Sequence, residues 1–258
     1  MLIDTHAHLD DEKYKETFSD LISELIEKEM KIIINPGVDI ESSYRSVEIA
    51  TEFDIIYAAI GIHPHEAIKI EEQDFNKLKK LAINKKVVAI GEIGLDYYYE
   101  YSPKEIQKDV FVKQINIAKS LDLPIIVHSR DAHNDTYEII KKHSKDLKGV
   151  LHSFSGSWEM AKKYIDLGFY ISFSGPITFK NSRKLPEVAK NTPLDRILIE
   201  TDSPYLTPVP YRGKVNNPIY VSYVASKICE LKEIEFDYFM QRIKENTLTL
   251  FNKIAKSN

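Results

Sequence analysis

Cysteine is almost missing from this chain: among 258 residues, Cys229 stands alone. A single thiol cannot close an intramolecular disulfide, so stability must come from a packed core, and the redox compartment is unconstrained. Runs of apolar residues long enough to span a bilayer are lacking too, which excludes a transmembrane helix and a membrane partner. The N-terminus has no basic segment of the signal-peptide kind, and its apolar start meets Asp4, His6 and His8 at once. The expected location is therefore the cytoplasm. Positive charge is not in excess: 35 Lys and Arg face 39 Asp and Glu, for a net charge of −4. That balance argues against coating duplex DNA by general electrostatics, though a phosphate-bearing substrate or a strand end held in one pocket stays open. Three signatures are absent as well. Without Gly-x-Ser-x-Gly, a nucleophile elbow is excluded, and without a Walker A run or a Rossmann fingerprint nothing supports a nucleotide cofactor.

What the chain does have is 43% hydrophobic residues, enough to bury a sizeable core. Short apolar, β-branched runs recur at Leu2–His8, Lys31–Pro36, Ile55–Ile62, Val87–Gly94, Pro124–His128, Gly149–Ser153, Phe169–Ser174 and Arg196–Asp202. Amphipathic segments separate them. The clearest is Lys104–Asp122, where Ile106, Val110, Phe111, Ile115, Ala118 and Leu121 form one stripe behind Pro103. Leu21, Ile22, Leu25, Ile26 and Met30 form another, and Tyr238–Ile254 reads as a closing helix. Cys229 falls in a helix-like stretch, where its expected role is that of a small buried hydrophobe. Eight strands alternating with helices predict an α/β fold, a (β/α)8 TIM barrel in one domain over residues 1–258. A doubly wound open sheet would call for a Gly-rich turn after the first strand, and none is present. The proline-stiffened stretch Ser203–Pro218 reads as an ordered loop over the barrel mouth. "SFSG" occurs at Ser153–Gly156 and again at Ser172–Gly175, and turn chemistry accounts for both.

Barrel enzymes build their sites at the C-terminal ends of strands. Here those ends carry His6 and His8, then His63, Glu92, His128, His152 and Asp202, with His65 in the loop beyond His63. Each alone reads more simply as a hydrogen-bonded structural group. His6 and His8 share one strand face by the period of two, yet two stacked core imidazoles would do the same. The whole set is harder to explain structurally, because so many polar groups at one mouth are costly unless something compensates them. A divalent metal does so, and imidazole with carboxylate suits zinc, manganese, iron or nickel. His133 and His143 fall in helical segments and receive no function.

The segments "DTHAHLD" (4–10), "GIHPH" (61–65), "GEIGLDYYY" (91–99), "PIIVHSRDA" (124–132), "LHSFSGS" (151–157) and "ETDSPYL" (200–206) together resemble the TatD family of metal-dependent deoxyribonuclease-type hydrolases, within the amidohydrolase superfamily. The likeness spans nearly the whole chain. It implies a TIM barrel holding two divalent ions (Mg, Mn, Zn, Ni, Co or Fe). His6, His8, Glu92 and Asp202 would hold one, and Glu92, His128 and His152 the other, with Glu92 bridging. Ser153 stands where the family often has cysteine, and Asn217 where it often has glutamate beside the Arg212 loop. The second departure implies a change in loop electrostatics rather than loss of activity.

The expected reaction is hydrolysis of a phosphodiester at a DNA end, with single-stranded ends as substrate, by a monomeric enzyme with no obligate protein partner. Asp202 is the candidate base and Glu92 the bridge; His63 and Arg130, and more weakly His65 and Arg212, are candidates for the phosphate oxygens. Asp4 and Glu200 are balanced between orienting ligands and serving as ordinary buried carboxylates. Of Tyr97, Tyr98, Tyr99 and Tyr101, at most one ring is expected to stack on a base. Two rival readings remain: another ester hydrolase on the same site, such as a D-aminoacyl-tRNA deacylase, or a metal- or phosphate-binding module without turnover.

Overall fold

The computed structural model describes residues 1–256, and residues 257 and 258 of the expected single domain lie outside the described residues. Eight strands form one parallel sheet: β1 (Leu2–Asp4), β2 (Met30–Pro36), β3 (Ile56–Ile60), β4 (Val87–Asp96), β5 (Ile125–Arg130), β6 (Gly149–Leu151), β7 (Tyr170–Phe173) and β8 (Ile197–Ile199). Each pairs with its sequence neighbours, in order. The two edges then meet. Thr5 N donates to Ile199 O at 3.1 Å, Asp202 N to His6 O at 2.9 Å and His8 N to Ser203 O at 2.8 Å, so the sheet curls into a nearly closed (β/α)8 barrel. Covered on both faces, strands such as β3 are continuous apolar runs, and every residue of β3 and β4 is buried.

Helices α1 (Phe18–Glu27), α2 (Ile40–Glu52), α3 (Glu72–Leu81), α4 (Lys104–Ser120), α5 (His133–His143), α6 (Trp158–Asp166) and α7 (Leu185–Asn191) follow strands β1 to β7. After β8 come α8 (Val221–Lys232), α9 (Phe236–Leu250) and α10 (Asn252–Lys256). In α4 the predicted stripe faces inward through Val110, Phe111, Ile115 and Ala118, and burying each large side chain contributes roughly 1.5–3 kcal/mol. Cys229 is buried on α8. Among the described residues no helix is long and apolar enough to cross a membrane.

Two boundaries depart from the sequence pattern for local reasons. Leu2–His8 reads as one strand, but β1 ends at Asp4, whose own carboxylate takes the His6 amide at 3.2 Å. A side chain thereby replaces the ladder partner and bends the chain. The expected helix Tyr238–Ile254 is broken at Phe251, where φ −96 and ψ 62 leave the helical region.

Close approach of β4 to β5 is what positions the site. At Gly91 a Cβ would meet the Ile126 Cβ at 2.5 Å, and at Gly94, with φ +141, it would meet the His128 carbonyl oxygen at 2.0 Å. Only glycine fits either place. The two glycines bracket Glu92 and let its carboxylate reach His128.

Candidate metal centre

Glu92 lies at the centre of the barrel mouth, almost fully buried, and its two oxygens face different partners. Oε2 is 3.3 Å from His6 Nε2 and 3.8 Å from His8 Nε2. Oε1 is 2.7 Å from His128 Nδ1, 2.8 Å from His152 Nε2 and 3.6 Å from His63 Nε2. Asp202 closes the first side, its Oδ1 standing 3.5 Å from His8 Nε2 and 3.7 Å from His6 Nε2. The backbone of Asp202 is left-handed, at φ +54, a region Asp tolerates better than most residues.

Electrostatics follow from this crowding. Burial would raise the Glu92 carboxyl, yet His152, His63 and His128 hold it well below its ordinary value. Burial likewise opposes ionisation of Asp202, and the hydrogen bond with His8 and the charges of His152 and His6 bring it down. His6 and His63 are lowered, chiefly by burial. For His152, burial is outweighed by Glu92 and Glu200, which raise it well above the usual imidazole value.

These donors suit a metal. The His6 and His8 Nε2 atoms face each other across 3.2 Å, so lone pair meets lone pair unless a proton or a cation lies between. His6 Nδ1 is buried with no partner among the described residues. Three triads, His6–His8–Glu92, His6–His152–Asp202 and His63–Glu92–His128, each bring ligand atoms within 4.8 Å of one another. Mixed nitrogen and carboxylate donors of this kind bind first-row divalent ions.

Behind the donors stand orienting carboxylates. Asp96 Oδ2 lies 3.0 Å from His128 Nε2 and 3.0 Å from His65 Nε2. Glu200 Oε1 lies 3.1 Å from His152 Nδ1 and takes the Ser153 amide at 2.6 Å, while Oε2 takes the Ser172 hydroxyl at 2.7 Å. Glu200 thus favours the orienting role over the ordinary one. Asp4 instead ties the barrel seam: it accepts from the Thr201 amide at 2.9 Å and from the Thr201 hydroxyl, and burial pushes its carboxyl up to about 8. Asp96 escaped the sequence reading. Its signal was parity, since residues 92, 94 and 96 alternate on one strand, but the strand was expected to stop at Gly94.

The remaining candidates divide. His63 joins the cluster; its Nδ1 accepts from the His65 amide at 3.2 Å. His65 stands one layer out, on Asp96. Arg130 and Arg212 are exposed, with guanidinium groups 4.0 Å from the Tyr98 ring centre and 4.3 Å from that of Phe179. Neither forms an ion pair with Glu92 or Asp202 among the described residues. His133 and His143 lie on α5, as expected, away from the donors.

Barrel and donor set together define the class, a metal-dependent hydrolase. The chain belongs to the family described as TatD related DNase, whose profile matches residues 3–252. It is 48% identical to the uncharacterized metal-dependent hydrolase YabD of Bacillus subtilis, over 97% of this chain and 99% of that one. It is 38% identical to the uncharacterized metal-dependent hydrolase YcfH of Escherichia coli, over 97% and 96%. Among solved structures, the TatD homologue YjjV of Escherichia coli superposes with a TM-score of 0.91 at 32% identity, covering 97% of this chain and 98% of the other. An organophosphorus hydrolase from Deinococcus radiodurans, at 11% identity and TM-score 0.66, shares the fold.

Proposed function

We propose that the chain is a deoxyribonuclease that hydrolyses phosphodiesters at single-stranded DNA ends. The observation that carries this reading is the division of Glu92, one oxygen toward His6 and His8, the other toward His128 and His152. His6, His8, Glu92 and Asp202 would hold one divalent ion, and Glu92, His128 and His152 a second. When bound, such ions supply Lewis acidity, easing deprotonation of water and offsetting charge on phosphate oxygens.

The side chains do the rest. Asp202, kept ionised by His8, accepts the proton of the attacking water. Burial holds the His63 imidazole well below its usual value and so favours the neutral ring. Because its Nδ1 accepts the His65 amide, its proton sits on Nε2 and can be donated to a non-bridging phosphate oxygen. Arg130 and Arg212, at the rim, neutralise phosphates of the trailing strand. The family's description as DNases supports a nucleic-acid substrate.

The test is turnover of end-labelled single-stranded DNA, with D-aminoacyl-tRNA assayed in parallel, by protein loaded in turn with Mg, Mn, Zn, Ni, Co or Fe. DNA is expected to be degraded from one end, and a chelator to stop it. Asp202→Asn and Glu92→Gln should each lose about a hundredfold or more in rate. Wild-type rates in both variants overturn the assignment, and turnover of the tRNA ester alone would move the chain to the deacylase class.

A further inference from the structure

The tyrosine run after β4 is divided by the fold. Tyr97 is anchored, its hydroxyl donating to Asp135 at 2.8 Å. Tyr98, Tyr99 and Tyr101 are left 57%, 46% and 63% exposed. Large rings standing in water forgo the burial that usually retains them, and here three do so side by side. Tyr99 and Tyr101 are parallel within 10°, with centroids 5.3 Å apart, and Tyr98 meets Tyr99 edge-on at 4.8 Å. Arg130 lies against both Tyr98 and Tyr99, at 4.0 and 4.9 Å from the ring centres, bringing positive charge to the patch.

This patch is tied to the metal centre by one carboxylate. Asp96 Oδ1 accepts the amides of Tyr98 and Tyr99 at 2.9 and 3.0 Å. Its Oδ2 faces His128 and His65, and the His65 ring packs edge-on against Tyr99 and Tyr101. The aromatic loop is therefore held in fixed register with the centre, and a strand whose phosphate lies there has its neighbouring bases within reach of the rings.

We infer that Tyr98, Tyr99 and Tyr101, more than the single ring expected from the sequence, form with Arg130 a stacking platform for the unpaired bases next to the scissile phosphate. The inference rests on the deoxyribonuclease reading. Rings with a positive edge suit bases joined by phosphates: each base offers a π-face whatever its identity, and the guanidinium meets the backbone. The platform thus favours single strands, whose bases are free to stack, without choosing sequence.

Equilibrium binding and turnover separate the two readings. A fluorescent single-stranded octanucleotide carrying 2-aminopurine near its end is titrated into the protein held with chelator, and its cleavage is followed after metal loading. Wild type should bind it and change the 2-aminopurine emission. Tyr98→Leu combined with Tyr99→Leu should abolish that change and raise Kd and KM about tenfold, the size of one lost stack, with kcat moving less. The corresponding Phe replacements should restore binding, since the ring face is kept. An abasic residue at the same position should cost wild type a similar factor and cost the Leu variant nothing further. If wild type cleaves DNA and the Leu variant matches it, the platform is overturned while the nuclease stands. If stacking is seen but no ion supports cleavage, the nuclease reading falls, and the platform's place beside a scissile phosphate falls with it. If wild type does not bind the oligonucleotide, both fall.

Discussion

Glu200 Oε1 lies 3.1 Å from His152 Nδ1, on the opposite edge of the ring from the nitrogen that faces Glu92. Glu200 is itself fixed by the Ser153 amide and the Ser172 hydroxyl, so it sets the ring rather than following it. A carboxylate behind a ligating imidazole fixes its tautomer and raises its basicity. Glu200→Ala should weaken binding of the ion proposed beside His152 by about 10–100-fold, read by competition with a chelating dye. Glu200→Gln, which keeps shape and an acceptor oxygen, should lose less. Unchanged affinity in both variants would remove the orienting role.

Metal loading should release protons. His152 lies between Glu92 and Glu200, and His128 between Glu92 and Asp96, so each imidazole has a carboxylate at both nitrogens. Against the effect of burial, the flanking carboxylates favour the doubly protonated rings, raising His152 well above and His128 above the usual imidazole value. An ion that takes one nitrogen must displace its proton. Calorimetry at pH 7 in two buffers of different ionisation enthalpy should give different apparent binding heats, and affinity should rise with pH. Equal heats in both buffers would contradict the arrangement.

The barrel was legible because its strands are buried on both faces and therefore continuous in apolar residues, as in β3. The clustered histidines and carboxylates were legible because they lie at or near the C-terminal ends of such runs. What carried no local signal was the pairing of residues distant in sequence: Asp96 with His65 and His128, or Glu200 with His152. Those contacts depend on neighbouring strands lying in register. Asp96 was also hidden by Gly94, which reads as a strand end and is in fact a point of close approach inside a ten-residue strand. The end of β1 was missed for a related reason, since the Asp4 side chain takes a backbone amide that the pattern assigns to the ladder.

Gly94 is the sharpest single-residue test of how the fold builds the site. Alanine there meets two obstacles, a φ of +141 that L-residues rarely adopt and a Cβ placed 2.0 Å from the His128 carbonyl oxygen. Backbone strain alone costs about 1–2 kcal/mol, and the clash adds to it by pushing β5 away. Gly94→Ala should therefore lose at least about 2 kcal/mol in denaturant unfolding and bind the ion beside His128 more weakly. Gly168→Ala is the control: φ is +87, but nothing lies within 4 Å of the added Cβ, so only strain is felt. Equal losses of stability and metal affinity in the two variants would show that close packing of β4 on β5 does not set the site.

Cys229 should be inert in the folded protein. It is buried on α8, and burial pushes its thiol up to about 11. The thiolate is the reactive form, so at pH 8 the side chain remains a neutral, shielded thiol. An aromatic disulfide reagent should label almost none of the native chain at pH 8 and one thiol per chain once it is unfolded. As pH is raised on folded protein, the labelling rate should climb toward pH 11, well beyond the range of an exposed cysteine. Rapid stoichiometric labelling at pH 8, with far-ultraviolet circular dichroism unchanged, would mean that α8 opens readily and that this face of the barrel is less firmly packed than its burial indicates.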